Sequence, residues 1–197
     1  MAQQQWVAPV NAGAPWQTAS GTVLNTAATQ TLSPEGAGGT GADPQVFSFY
    51  QGMVIRVAAR GIYTSGSTST NFTLMLYVSA SGTAAASGQQ LATTGAVAWP
   101  VSVTNFYWEL EALVQVRAMA QGVGTSALYT HGRVLVQTAT FATPTGNVAV
   151  LPLPAMNGPT ALAADTTITH TIALVGTQSQ TVGSPAITCT NFLAEYV

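Results

Sequence analysis

The sequence predicts an all-β protein, an antiparallel β-sandwich of jelly-roll type with about eight strands and an extended N-terminal arm. Three observations carry this. Apolar and polar residues alternate with a period of two over several long runs, as half-buried strands require. The runs are separated by clusters of Gly, Pro, Ser, Thr and Asn, the residues that turns use. No stretch combines helical periodicity with capping residues.

Taken in order, residues 1–18 form the arm: polar, with two prolines, no alternation, and Trp6 and Trp16 as anchors that need a surface to rest on. The remaining residues, 19–197, read as one domain, a length all-β domains commonly reach. A short strand is expected within Thr22 to Thr31, followed by the glycine-rich loop Ser33 to Gly41, which Asp43-Pro44 closes. Phe49, Met53, Ile55 and Val57 then share one face, with Tyr50, Gly52 and Arg56 on the other. Beyond the Ser/Thr loop Thr64 to Ser69, Phe72, Leu74, Leu76 and Val78 alternate with Thr73, Met75, Tyr77 and Ser79, a strand apolar enough to be covered on both faces. The Ala-rich piece Thr83 to Gln90 is flanked by Ser-Gly and reads as a loop.

The clearest alternation runs from Phe106 to Ala120. Phe106, Trp108, Leu110, Ala112, Val114, Val116, Ala118 and Ala120 face one way, and Glu109, Glu111, Gln115 and Arg117 the other. After Gln121 to Thr125, whose glycines tolerate positive φ, a second strand places Leu128, Val134 and Val136 inward and Tyr129, His131, Arg133 and Gln137 outward. The two make a long hairpin, with Arg133 and Arg117 near the glutamates across the ladder. Asn147 to Leu153 forms a further strand, and Pro152, Pro154 and Pro159 mark an extended crossing. Ile168, His170, Ile172 and Leu174 share one face of the next strand. In the last, Ile187, Cys189 and Leu193 are expected opposite Thr188, Thr190 and Phe192.

The chain contains no lysine, and its ten charged residues (four Lys+Arg, six Asp+Glu) are 5% of 197, against about 25% in ordinary domains. A net charge of −2 offers no footprint for nucleic acid or anionic lipid. No apolar run approaches the roughly 18–20 residues that span a bilayer, and Met1 to Trp6 resembles no secretory leader. The single cysteine forms no internal disulfide and suits a reducing cytoplasm. A surface so poor in ions packs against copies of itself without desolvating many charges, which suits permanent assembly. Its ion-free strand faces are expected to be covered by partners.

Candidate chemistry is sparse. His170 lies on an apolar face and is read as a core histidine, and His131 as a solvated or interface residue beside Arg133. No His-x-His or His-Glu-x-x-His spacing is present, so neither metal nor cofactor is expected. Glu109 and Glu111, two residues apart on one strand face, are the one pair that acid–base chemistry could use. An interfacial face with arginine partners is the plainer account. Nucleophile elbows and phosphate loops are missing from the sequence, and Cys189 is expected to be an inert buried thiol. Tyr50, Tyr77, Tyr107 and Tyr129 could stack on sugar or enrich a protein interface.

With its Trp-containing arm (Trp6, Trp16), Thr/Ser/Ala-rich strands and closing strand Ser184 to Val197, the chain resembles the single-jelly-roll virion proteins of tailed bacteriophages. The resemblance covers most of the chain and implies a non-enzymatic role in the virion: capsid decoration or cementing, often as a homotrimer on the major capsid protein, or tail association. A lectin-like module that binds a host-surface glycan is the alternative. The interface residues expected are Trp6, Trp16, Glu109, Glu111, Arg117, Tyr129, His131 and Arg133.

Overall fold

Period-two alternation becomes alternating burial. Along Val54–Thr64, residues Ile55, Val57, Ala59 and Tyr63 are buried while Arg56 and Arg60 are exposed. A computed structural model describes residues 30–32, 46–47, 49–80, 88–118, 126–139, 147–154, 160–162, 170–179 and 185–197. Its elements are β1 Gln30–Thr31, β2 Val46–Phe47, β3 Val54–Thr64, β4 Thr70–Ala80, β5 Gln89–Thr93, β6 Val97–Trp99, β7 Phe106–Ala118, β8 Ser126–Gln137, β9 Val148–Leu153, β10 Thr160–Leu162, β11 His170–Gln178 and β12 Ala186–Tyr196. No helix is found among the described residues. The arm, with Trp6 and Trp16, lies outside them.

The strands form two antiparallel six-stranded sheets. The first runs β1-β11-β4-β5, with β2 also on β11 and β6 also on β4. The second runs β10-β8-β7-β3-β12, with β9 also on β8. The hairpin expected at residues 106–137 is its centre, with Glu111 opposite Arg133 and Val114 opposite Thr130. Two long-range pairings are nested: β3 with β12, and β4 with β11.

The sheets pack face to face through one large core. At one end an aromatic group ties them together. Tyr63 of β3 meets Trp99 of β6 edge-on with centroids 4.6 Å apart, and Phe72 of β4 lies 4.7 Å from the same indole. The Tyr63 hydroxyl donates to the Gln137 carbonyl at 2.6 Å, so the buried phenol is satisfied. Burial also holds its pKa above the ordinary phenol range. His170 is buried and stacks on Phe49, centroids 5.0 Å apart and rings 6° from parallel, so it belongs to the core as its strand face predicts.

Three expectations are corrected. Gln137 points inward and is buried, because its side chain serves the backbone: it accepts the Tyr107 N–H at 3.1 Å and donates to the Ala139 carbonyl at 2.9 Å. Phe192 is buried and Leu193 is not, the reverse of strict alternation. The register between β12 and β3 shifts between Cys189 and Asn191, and such a bulge inserts one residue and inverts every face after it. Gln89 and Gln90, expected at the end of a loop, open β5.

Met75, Ala173 and Val175, on the side of the first sheet turned away from the main core, are 8%, 0% and 0% exposed. The strand Thr70–Ala80 is thus covered on both faces at its centre, as its composition predicts.

Candidate functional site

The outer face of the second sheet holds every Arg and Glu among the described residues, because β3, β7, β8 and β12 each present their polar alternates there. Register decides who meets whom. Arg56 on β3 stands opposite Glu195 on β12, and Arg60 opposite Glu109 on β7. Glu111 on β7 stands opposite Arg133 on β8 and diagonal to Arg56.

The result is an alternating ladder across four strands. Glu195 and Arg56 are 3.6 Å apart, Arg56 and Glu111 3.4 Å, and Glu111 and Arg133 3.3 Å. Beside it, Arg60 and Glu109 pair at 2.8 Å. Three arginines thus neutralise three glutamates. Arg117 lies outside the ladder, at a register shift near the end of β7, and donates to Gln115 Oε1 at 3.3 Å. The hairpin cluster expected from the sequence is therefore real for Glu111 and Arg133. Glu109 turns to Arg60, and Arg117 takes no ion pair among the described residues.

At the β8 end the ladder borders a recess of about 550 Å³. Its lining includes Glu111, Tyr129, His131, Arg133, Pro152 and Pro154, together with Arg56 and Leu113. Tyr129 is 38% exposed, and its ring lies 6.0 Å from that of His131, tilted by 49°. Thr130, between them in sequence, points the other way, to the core side with Leu128 and Val134, and is only 3% exposed. The recess thus joins four of the expected interface residues, Glu111, Tyr129, His131 and Arg133.

Arg56, Arg60, Glu195, Pro152 and Pro154 complete this face, and sequence reasoning misses them as site residues. A signal for two of them exists: Arg56 and Arg60 are four apart on one strand, so both project from one face. Their partners depend on pairing between strands far apart in sequence, β3 with β7 and with β12, which no local pattern fixes. Among the described residues no group of three or more His, Cys, Asp or Glu could hold a metal ion, and no helix is long and apolar enough to cross a membrane. No family model matches the chain, and neither does any curated protein or solved structure.

Proposed function

We propose that the chain is a non-enzymatic structural subunit of a phage particle, a capsid decoration or cement protein that acts as a homotrimer bridging subunits of the major capsid protein. The observation that carries this reading is the placement of charge: the Arg and Glu residues among those described are gathered on one sheet face, all but Arg117 paired there, which leaves the other described surfaces free of ionic side chains to desolvate. The nested pairings of β3 with β12 and β4 with β11 support a jelly-roll winding, in which the two ends of a long hairpin roll together.

Such a subunit works by buried area. Stable interfaces bury about 1,200–2,000 Å² in total, and repetition over a lattice multiplies modest contacts into tight attachment. The paired ions hold register more than they add affinity, since surface pairs contribute only about 0–1 kcal/mol. On this reading the protein takes no cofactor, binds neither nucleic acid nor membrane, and resides in the virion.

The test is sedimentation of the purified chain, alone and with emptied heads of the phage that encodes it. A trimer that co-sediments with heads is expected. A stable monomer that leaves the heads bare overturns the proposal.

A further inference from the structure

We infer that the recess beside Tyr129 is a binding site for a neutral saccharide. The volume, about 550 Å³, falls inside the range of roughly 300–1,000 Å³ typical of small-molecule sites. Its lining divides into two kinds of surface. Tyr129, Leu113, Pro152 and Pro154 offer apolar faces, and Glu111 with Arg56 and Arg133 offers polar ones.

The state of the polar groups selects the ligand. Glu111 is already held by Arg56 at 3.4 Å and by Arg133 at 3.3 Å. Arg56 and Arg133 are balanced by Glu111 and Glu195, so no net charge of these pairs is left to favour an ionic ligand. A hydroxyl group need break nothing. Each guanidinium has five N–H donors and each carboxylate about four lone-pair positions, so both retain capacity after pairing. A vicinal diol can donate to the glutamate and accept from an arginine at once. The ligand must also present an apolar face to a partly exposed tyrosine ring, and the C–H face of a pyranose does so.

The inference does not rest on the assembly reading, because it concerns a recess within a single chain.

The experiment is saturation-transfer NMR with titration, on the full chain, using maltotriose, mannotriose and chitotriose as neutral probes and sialyllactose and trigalacturonate as acidic ones. At least one neutral probe should bind saturably at millimolar concentration or below. Tyr129→Ala should weaken it about ten-fold, as the loss of one stacked ring implies. Tyr129→Phe should stay within about three-fold, because the ring and not its hydroxyl carries the stacking. Tyr50→Ala, which removes a ring 61% exposed and outside the recess, should change nothing. Circular dichroism checks that each variant is folded. Failure of all three neutral probes, binding of acidic probes alone, or neutral binding that survives Tyr129→Ala each overturns the inference.

Discussion

Trp108 fills the space that a side chain at Gly61 would need. The two residues are directly paired between β3 and β7. A Cβ at position 61 would lie 2.7 Å from Cζ2 of the indole and collide with the Thr188 carbonyl oxygen on the other side. The indole is fully buried, and its N–H donates to the Ile62 carbonyl at 3.3 Å, so it has nowhere to retreat. Overpacking usually costs about 1–3 kcal/mol. Because one obstacle here is backbone, Gly61→Ala is expected to cost about 3 kcal/mol or more. Gly52 provides the contrast. Its φ is +89°, and a Cβ added there would meet nothing within 4 Å, so Gly52→Ala should cost only the left-handed backbone penalty of about 1–2 kcal/mol. Urea denaturation of the two variants measures both, and equal losses would contradict the packing argument.

The ladder on the second sheet should behave as a network. Arg56 serves two glutamates, at 3.4 and 3.6 Å, whereas Arg60 serves one at 2.8 Å. Distance alone would rank Arg60 as the more important residue. Yet the Arg60 side chain is 66% exposed against 48% for Arg56, and solvent weakens the shorter pair. Double-mutant cycles are expected to give about 0.2–1 kcal/mol for Arg60 with Glu109, and Arg56→Ala should cost more than Arg60→Ala. At about 1 M salt the Debye length contracts to roughly 3 Å, so both couplings should shrink. A coupling that salt leaves unchanged would show that packing of the arginine stems carries the effect.

Gln137 illustrates how a polar side chain can hold backbone together. Its amide oxygen accepts the Tyr107 N–H at 3.1 Å, its amide nitrogen donates to the Ala139 carbonyl at 2.9 Å, and its own carbonyl accepts the Tyr63 hydroxyl. Gln137→Ala removes the first two bonds at a buried place and should cost about 1–3 kcal/mol. Gln137→Glu keeps the acceptor but sets a carboxylate against the Ala139 carbonyl. That variant should be less stable at neutral pH than near pH ~4, where the carboxyl regains a donor. Thermal melts at both pH values decide it.

The strands themselves were legible because alternation is a local property: Ile55, Val57 and Ala59, or Trp108, Leu110 and Val114, reveal their inward face without knowledge of any neighbour. What failed was non-local. Phe192 and Leu193 exchanged faces because Thr190 is the extra residue of a bulge, and it is secured by a bond from its hydroxyl to the Arg60 carbonyl at 3.1 Å on the adjacent strand. Gln137 turned inward to serve groups that lie near it only after β7 and β8 pair. The same limit applies to the site. Tyr129, His131 and Arg133 were visible as outward residues of one strand, but the recess needs Pro152 and Pro154 brought beside them by the β8–β9 pairing.

Cys189 makes alkaline pH a probe of the core. It is fully buried between the sheets, opposite Gly61 on β3, and its Sγ lies 3.2 Å from the Asn191 carbonyl oxygen. Burial pushes the thiol pKa from 9.0 up to about 12, with backbone hydrogen bonds at Asn191 and Arg60 offsetting part of the rise. The unfolded chain therefore releases this proton near pH 9, while the folded chain keeps it until about pH 12. Unfolding in that window releases a proton, so the thiol's contribution is fully present below pH 9 and is lost as pH rises through 12. The slope should approach about 1.4 kcal/mol per pH unit for one group. Tyr63, whose pKa is also raised by burial, steepens the loss at the upper end. Cys189→Ala should start lower at neutral pH because a packed sulfur is gone, then fall less steeply than the parent between about pH 9 and 11. A thiol reagent gives the independent readout: no reaction in the folded protein, and one equivalent, for the single cysteine, in urea. Rapid labelling of the folded chain, or parallel pH curves for the two proteins, would show that the thiol is not sealed in the core.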